Sequence, residues 1–341
     1  MNPVLTFSTP ALAENIRRIQ QLQPADTCWI PEIRFGLPAD CLELILHSTQ
    51  SQKNDGPRVF CSLNVEQALE LSNSSAFMRT GQPVHWVLTS PIASRTNADL
   101  LIQLAQEHRV TVVADHFRHL ELASLAAGKS SQPIDVLIEV DTGLHLTGAC
   151  PGPDTVALAK AFAGLRSISL RGLFTGIRRG SADLESEVLT AAVDICRHCQ
   201  RMIQASQIRC SDIILDNVPH TLLATFSGTG FLNSPLLVTS EAATQTCPPV
   251  TLVAEVLSRP SLEYCIISAG SLHLCDSKDS IRVVSLHTAS VAELFRDYAI
   301  IRLDSEAMDL RIGDRIALWS PNLQSQPLHP AQYTIRQRDG L

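Results

Sequence analysis

Asp115, His116 and His119 form a cluster in which an imidazole could exchange a proton with a neighbouring carboxylate. Such a pair can serve as a general acid and base. No serine or cysteine nucleophile motif accompanies the cluster in the sequence. An aspartate that precedes an amphipathic stretch more often caps a helix. We therefore expect Asp115 to be the N-cap of the helix that follows.

Two consecutive arginines, Arg178 and Arg179, follow an apolar run and suggest a second kind of chemistry, the binding of a small anion. Paired guanidinium groups hold a carboxylate or a phosphate through charge-assisted hydrogen bonds. The alternative is an ordinary charged surface, which is the commoner environment of such pairs. The candidate ligands of a small anion, all in loops after apolar runs, are Asp141, His145, Arg178, Arg179, His220 and Thr221.

Cys196 and Cys199 have the Cys-x-x-Cys spacing of many metal and redox sites, and Cys210 lies further along the chain. Zinc would need four converging ligands, and the sequence has no second pair at a similar spacing. In a helix, cysteines three residues apart share one face and commonly pack as small hydrophobic side chains. We therefore expect packing here, and no metal or redox centre.

The elements that must position these residues alternate between short β-branched runs and helical patterns over the first 240 residues or so. The candidate strands are 27–30, 58–61, 84–89, 110–114, 134–140, 167–174, 212–215 and 236–239, with helical stretches at 39–47, 64–71, 97–107, 117–127, 154–163 and 184–205. Alternating strands and helices imply a parallel sheet in an α/β protein, and about eight strands favour closure into a TIM-type (β/α)8 barrel. A doubly wound sheet is the alternative.

A different pattern begins near residue 246, where strand-like runs follow one another without long helices between them. These runs are 250–257, 264–268, 281–286, 298–303, 314–318 and 332–336. Such a pattern is typical of antiparallel pairing. The sequence therefore predicts a barrel in residues 10–245 and a smaller C-terminal antiparallel β domain in residues 246–341. Residues 1–9 could join the β domain as a strand.

Short motifs also follow one another in a characteristic order along nearly the whole chain. They include Thr9-Pro10-Ala11-Leu12, Pro31-Glu32-Ile33, Glu139-Val140-Asp141-Thr142-Gly143, Arg171-Gly172-Leu173 and Gly313-Asp314-Arg315. Together they resemble the D-threonine aldolase and D-serine dehydratase family, fold-type III pyridoxal-phosphate enzymes with an alanine racemase-like barrel. The resemblance implies a homodimer, a pyridoxal phosphate held as a Schiff base by a lysine of the first barrel strand, and a metal ion.

The residues that this family uses for its cofactor and metal differ in this chain. Counting back from Pro31, the resemblance places Asp26 at the position of the Schiff-base lysine, and a carboxylate cannot condense with an aldehyde. Leu146 stands where the family has an arginine that contacts the cofactor ring. Leu323 and Ser325 stand at the two metal-ligand positions, and neither leucine nor a neutral serine hydroxyl is a good zinc ligand.

The four lysines of the chain do not replace the missing amine. Lys53 and Lys129 precede strands and so belong to the end of a barrel opposite to its chemistry, and Lys160 falls within a helix. Lys278, in the β domain, is the only one with a route to the site, across a domain or subunit boundary, and its alternative is an ordinary solvated turn residue.

The sequence therefore predicts a non-catalytic or catalytically altered homologue of pyridoxal-phosphate-dependent D-amino-acid lyases, with no cofactor or metal assigned. One alternative is an active aldolase, dehydratase or racemase in which another lysine holds pyridoxal phosphate. A second is a partner subunit of an active paralogue.

Composition excludes several other classes of protein. A net charge of −7 with interleaved acids and bases gives no basic stripe for nucleic acid or an anionic membrane surface. No apolar run reaches the roughly 20 residues that span a bilayer, and the first residues do not resemble a signal peptide. Ten cysteines without a regular spacing favour a reducing compartment, so we expect a cytoplasmic protein.

Overall fold

A computed structural model of the chain describes most of its 341 residues. The described residues are 3–22, 28–33, 37–48, 58–79, 84–143, 145, 147–165, 167–176, 182–216, 230–233, 248–274, 276–286, 288–304, 309–320, 323 and 334–337. The chain divides into two compact units. One comprises Ile19–Arg34 and Leu46–Ser234, and the other comprises Met1–Arg18, Phe35–Ile45 and Pro235–Leu341.

Strands and helices alternate through the first unit and strands dominate the second. The strands are β1 Val4–Phe7, β2 Cys28–Pro31, β3 Val59–Ser62, β4 His85–Leu88, β5 Arg109–Ala114, β6 Ile134–Glu139, β7 Ile168–Gly176, β8 Asp212–Asp216, β9 Gly230–Asn233, β10 Val250–Ser258, β11 Tyr264–Ile267, β12 Arg282–Val283, β13 Ser290–Leu294, β14 Ala299–Arg302, β15 Arg315–Trp319 and β16 Thr334–Gln337. The helices are α1 Thr9–Leu22, α2 Ala39–Ser48, α3 Val65–Ser72, α4 Ser75–Met78, α5 Arg95–Glu107, α6 Phe117–Ala127, α7 Pro153–Ala161, α8 Ala182–Ala205 and α9 Ser271–Leu274.

Eight parallel strands form the sheet of the first unit, in the order β2-β9-β8-β7-β6-β5-β4-β3. The two ends of this sheet approach one another, because Glu32 forms a parallel bridge with Cys61 and the Ile33 N–H donates to the Cys61 carbonyl at 2.9 Å. A doubly wound sheet has no such contact between its edges. The predicted (β/α)8 barrel is therefore confirmed.

The eighth barrel strand differs from its predicted position. The apolar run at 236–239 was the sequence candidate, whereas the strand that pairs with β8 and β2 is Gly230–Asn233. A glycine and an asparagine at its two ends weaken its strand signal. Residues 236–239 lie outside the described part of the chain.

Side chains inside the barrel form layers along its axis. The middle layer is apolar and consists of Ile30, Cys61, Val87, Val113, Leu137, Phe174 and Ile214, all at most 3% exposed. On the opposite face of the strands, residues such as Trp29 and Trp86 are fully buried as well. Strands buried on both faces read as continuous apolar runs, which explains why the barrel strands were visible in the sequence.

The second unit is an antiparallel sheet in the order β12-β15-β10-β11-β14-β13, which confirms the predicted β domain. Strand β1 joins this sheet, pairing antiparallel with β10 and parallel with β16. Its apolar side chains Leu5 and Phe7 are each 1% exposed. None of the described helices is both long enough and apolar enough to cross a bilayer.

Candidate functional site

The carboxyl ends of the barrel strands carry acidic side chains on the interior face. Alternate residues of a strand point to the same face, so a residue two positions beyond the middle apolar layer faces the mouth of the barrel. These positions supply a carboxylate on each of four strands, β2, β5, β6 and β8. We call them the mouth carboxylates: Glu32, Asp115, Glu139 and Asp216.

The loop after β6, residues 141–149, folds back onto the mouth and is held there by carboxylates. Asp141 Oδ1 accepts the N–H groups of Gly143 at 2.9 Å and His145 at 3.0 Å, and its Oδ2 lies 2.9 Å from His145 Nδ1. The His145 N–H, followed by the weaker Gly143 N–H, lowers the pKa of Asp141 from its usual value. The structure therefore brings together Asp141 and His145, two of the predicted anion ligands, as partners of each other.

Glu139 also accepts a hydrogen bond from the same loop. Its side chain is 7% exposed, and the Thr147 hydroxyl donates to its Oε1 at 2.6 Å. Burial raises the pKa of Glu139, the hydrogen bond from Thr147 opposes this rise, and the charges of Asp115 and Asp141 add to it. Burial beside two other carboxyl groups thus favours the protonated form of Glu139.

Asp115 fixes the far end of the loop. Its Oδ2 accepts the Gly148 N–H at 2.9 Å, and its Oδ1 lies 2.9 Å from His119 Nδ1. The prediction that Asp115 caps α6 is wrong, because the N-cap is His116, whose Nδ1 accepts the Arg118 N–H at 3.1 Å. The Asp115 carboxylate is instead occupied by Gly148 and His119.

Gly148 is required by the close approach of this loop to β6. Its φ is +104°, and a Cβ at this position would lie 2.5 Å from the Asp141 nitrogen. Only glycine adopts such a conformation without strain. The loop is therefore shaped by backbone geometry as well as by the carboxylates.

Several sequence candidates lie outside the described residues: Asp26, Leu146, Arg178, Arg179, His220, Thr221 and Ser325. Leu323 is described and is a core side chain of the β domain, 2% exposed. Its N–H donates to Ser320 Oγ at 3.1 Å.

The two described lysines of the barrel unit, Lys129 and Lys160, lie away from the mouth of the barrel. Lys129 lies between α6 and the start of β6, and Lys160 lies in the last turn of α7, which leads into β7. Lys278 belongs to the β domain, where its Nζ donates to the Ala292 carbonyl at 3.3 Å. Lys53 lies outside the described residues.

The cysteines of α8 are buried thiols. Burial, with a smaller effect of the neighbouring cysteines, raises the pKa of Cys196 to about 12. Burial and the charge of Asp212 raise that of Cys210 to about 12. Cys199 Sγ accepts the Gly152 N–H at 3.3 Å. Within the part of the chain that the structure describes, no three His, Cys, Asp or Glu side chains are arranged to hold a metal ion.

A polar layer at the amino ends of the barrel strands was not predicted. Arg171 Nε contacts Asp212 Oδ2 at 2.6 Å, and His85 Nε2 lies 2.7 Å from Thr111 Oγ1. Arg171 Nη1 is also 3.4 Å from His85 Nε2 and from Thr111 Oγ1. Burial, followed by the charges of Arg171 and Arg109, lowers the pKa of His85 to about 3, so this imidazole is neutral. Charged residues near the start of several successive strands were the signal in the sequence from which this layer could have been predicted.

A (β/α)8 barrel followed by an antiparallel β domain with an N-terminal strand defines an alanine racemase-like protein. Residues 8–228 match the sequence model of the alanine racemase N-terminal domain, so the chain belongs to that family.

Individual relatives agree with this placement. The D-threonine aldolase of Arthrobacter sp is 28% identical over 222 residues, which cover 62% of this chain and 55% of that protein. The alanine racemase of Helicobacter pylori strain J99 is 22% identical over 182 residues, covering 52% of this chain and 44% of the other. The chain thus spans about half the length of the curated relatives that it matches.

Solved structures extend the likeness to the β domain. The crystal structure of D-threonine aldolase from Filomicrobium marinum superposes with a TM-score of 0.76, at 17% identity, covering 95% of this chain and 88% of that one. At this identity the likeness shows the fold alone.

Proposed function

We propose that this chain is a non-catalytic or catalytically altered homologue of the pyridoxal-phosphate-dependent D-amino-acid lyases. The observation that carries the proposal is that the described interior-facing side chains at the mouth that can ionise are carboxylates, with no lysine among them. Fold alone does not establish activity, so the side chains at the mouth must decide the chemistry.

The described residues do not fit a pyridoxal phosphate bound as a Schiff base. That bond needs an amine at the carboxyl ends of the strands, and the described interior-facing side chains there that can ionise are carboxylates. We therefore assign the cofactor no role in this chain.

The small-anion site stays a prediction. In the sequence, Arg178 and Arg179 come two and three residues after the end of β7 at Gly176, and this supports the prediction. On the β5 and β6 side of the mouth, however, Asp115 and Asp141 already accept N–H groups of the loop after β6. Calorimetric titration with inorganic phosphate would test the site. Wild type should bind it, and the double variant R178A/R179A should bind at least tenfold more weakly. No binding by wild type would contradict the prediction.

The cofactor test uses the whole wild-type protein. Mixing it with pyridoxal phosphate should give no stoichiometric absorbance band of an imine-bound cofactor. After borohydride reduction, peptide mapping should show only scattered modification, well below one group per chain, on exposed lysines. One lysine modified stoichiometrically would refute the proposal and favour the alternative of an active pyridoxal-phosphate enzyme.

The partners and location are further parts of the proposal. We propose a homodimer in a reducing, cytoplasmic setting, and the free thiols of Cys41, Cys61, Cys150, Cys196, Cys199, Cys210 and Cys265 are consistent with such a setting. Sizing of the native protein would test the dimer. Co-purification with a paralogous subunit would instead favour the alternative of a partner subunit in a heteromer.

A further inference from the structure

We propose that Glu32, and not Asp26, is the residue that the first barrel strand delivers to the mouth, and that its carboxylate occupies the position from which an amine could capture an aldehyde cofactor. The inference deepens the proposed function and rests on it. It differs from the sequence interpretation, which placed Asp26 at that position.

The direction of β2 carries the first step. The strand runs from Cys28 at the amino end to Pro31 at the carboxyl end, parallel to its neighbour β9. The mouth lies at the carboxyl ends, as in other barrels of this kind. A side chain that β2 brings to the mouth must therefore follow Ile30 in the chain. Position 26 precedes the strand.

The facing of the side chains carries the second step. Ile30 belongs to the apolar interior layer, so alternation places Glu32 on the interior face, one layer closer to the mouth. The ladder gives the same answer independently. Glu32 is the parallel bridge partner of Cys61, which also belongs to the interior layer, and paired residues of a ladder point to the same face.

The neighbours of Glu32 along the chain support this facing. Trp29 and Ile33 are at most 1% exposed, as expected for side chains between the sheet and its surrounding helices. Glu32 itself is partly exposed, which suits a position at an opening. Among the residues just before and after Ile30, only Glu32 lies toward the carboxyl end of the strand, faces the interior of the barrel and is partly exposed.

The chemistry follows from the side chain at that position. An amine there would attack the aldehyde carbon with its nitrogen lone pair, forming a C–N bond. The carbonyl oxygen would then leave as water with both N–H protons, and a C=N bond would remain. A carboxylate has no such nitrogen, so it cannot form this bond.

The experiment compares two single substitutions in the full chain, E32K and D26K. Each is mixed with pyridoxal phosphate, its absorbance spectrum is recorded, and it is reduced with borohydride before peptide mapping. The hydride adds to the imine carbon and makes the bond permanent. We expect E32K to gain a new absorbance band and a modification approaching one group per chain at position 32, with neither change in D26K or wild type.

The other possible outcomes of this comparison would each overturn either the assignment of Glu32 or the proposed function. Modification of D26K alone, of both variants at their new lysines, or of neither folded variant would overturn the assignment. Modification of wild type at a native lysine would overturn the proposed function instead, so the two failures are distinguishable.

A second variant keeps the assignment testable if E32K does not fold. In E32C, the introduced thiol should react with a small maleimide at least tenfold faster than Cys61, its ladder neighbour, which is 2% exposed in the layer below. Equal protection of positions 32 and 61, measured by peptide mapping, would overturn the assignment.

Discussion

Carboxylates at the mouth of the barrel accept hydrogen bonds from the loop after β6. Asp115 accepts the Gly148 N–H, and Glu139 accepts the Thr147 hydroxyl. Asp141 accepts two N–H groups from earlier in the same loop. Charge-assisted hydrogen bonds of this kind are stronger than neutral ones. Asp115, Glu139 and Asp141 thus help to shape the loop at the mouth of the barrel.

Replacing Glu139 with glutamine should stabilise the protein near neutral pH by about 1 kcal/mol, since it removes a buried charge and keeps an acceptor for Thr147. The folded pKa of Glu139 is raised above 4.5, so the wild-type contribution is most favourable in acid and is lost as pH rises through the folded pKa. The advantage of E139Q should therefore vanish on acidification. Thermal melts across pH measure it, with E121Q on the exposed face of α6 as the control. A destabilised E139Q at pH 7 would contradict the prediction.

Replacing Gly148 with alanine should destabilise the fold by about 1–3 kcal/mol, because the residue would keep a strained positive φ and its Cβ would press on the Asp141 nitrogen. Gly164 is the matched control, since a Cβ there meets no atom within 4 Å and its φ is not in the left-handed region. Urea denaturation of G148A and G164A would measure the difference. Equal urea midpoints for G148A and G164A would contradict the prediction, because they would show that the loop accommodates a Cβ at position 148 without strain.

The strands of the barrel are joined at their amino ends by side chains as well as by the ladder. The pair Arg171–Asp212 connects β7 with β8, and the contact His85–Thr111 connects β4 with β5. A β-bulge between β6 and β7 is what brings Arg171 into this layer. The layer closes one end of the barrel with polar groups that satisfy each other.

This layer predicts a dependence of stability on pH. The pKa of His85 falls from 6.5 to about 3 on folding, so its contribution is complete above pH 6.5 and is lost as pH falls toward 3. The variant H85Q, which lacks this titration, should lose stability less steeply across that window, by up to about 1 kcal/mol per pH unit. The exposed His47 gives the control H47Q. Parallel profiles for wild type and H85Q would contradict the prediction.

Most strands were predictable because burial on both faces leaves a continuous apolar run, as in β4 and β6. Two were not. Strand β13, Ser290–Leu294, is rich in residues that favour helices and is stabilised by pairing with β14, a contact that its own sequence does not encode. The contacts of Asp115 likewise depend on Gly148, which lies 33 residues away. Local patterns find elements, whereas contacts between distant segments decide the details of a site.

The β domain depends on residues from both termini of the chain. Deleting residues 1–8 removes β1 from between β10 and β16. The buried side chains of Leu5 and Phe7 are lost with it, and the residues that they cover become exposed. Burial of two such side chains is worth roughly 3–6 kcal/mol, so we expect a large loss of stability or aggregation. Deleting only residues 1 and 2, before the strand, is the control. Circular dichroism melts of both truncations would measure the effect, and equal melting temperatures would refute it.

The parallel pairing of Val4–Phe7 with Thr334–Gln337 also sets an order of events during translation. Strand β1 is synthesised well before its partner β16, whereas every described strand of the barrel has already emerged by residue 233. A nascent chain should therefore carry a closed barrel and an unfinished sheet edge at the same time. That edge is the part most in need of a chaperone until β16 has emerged.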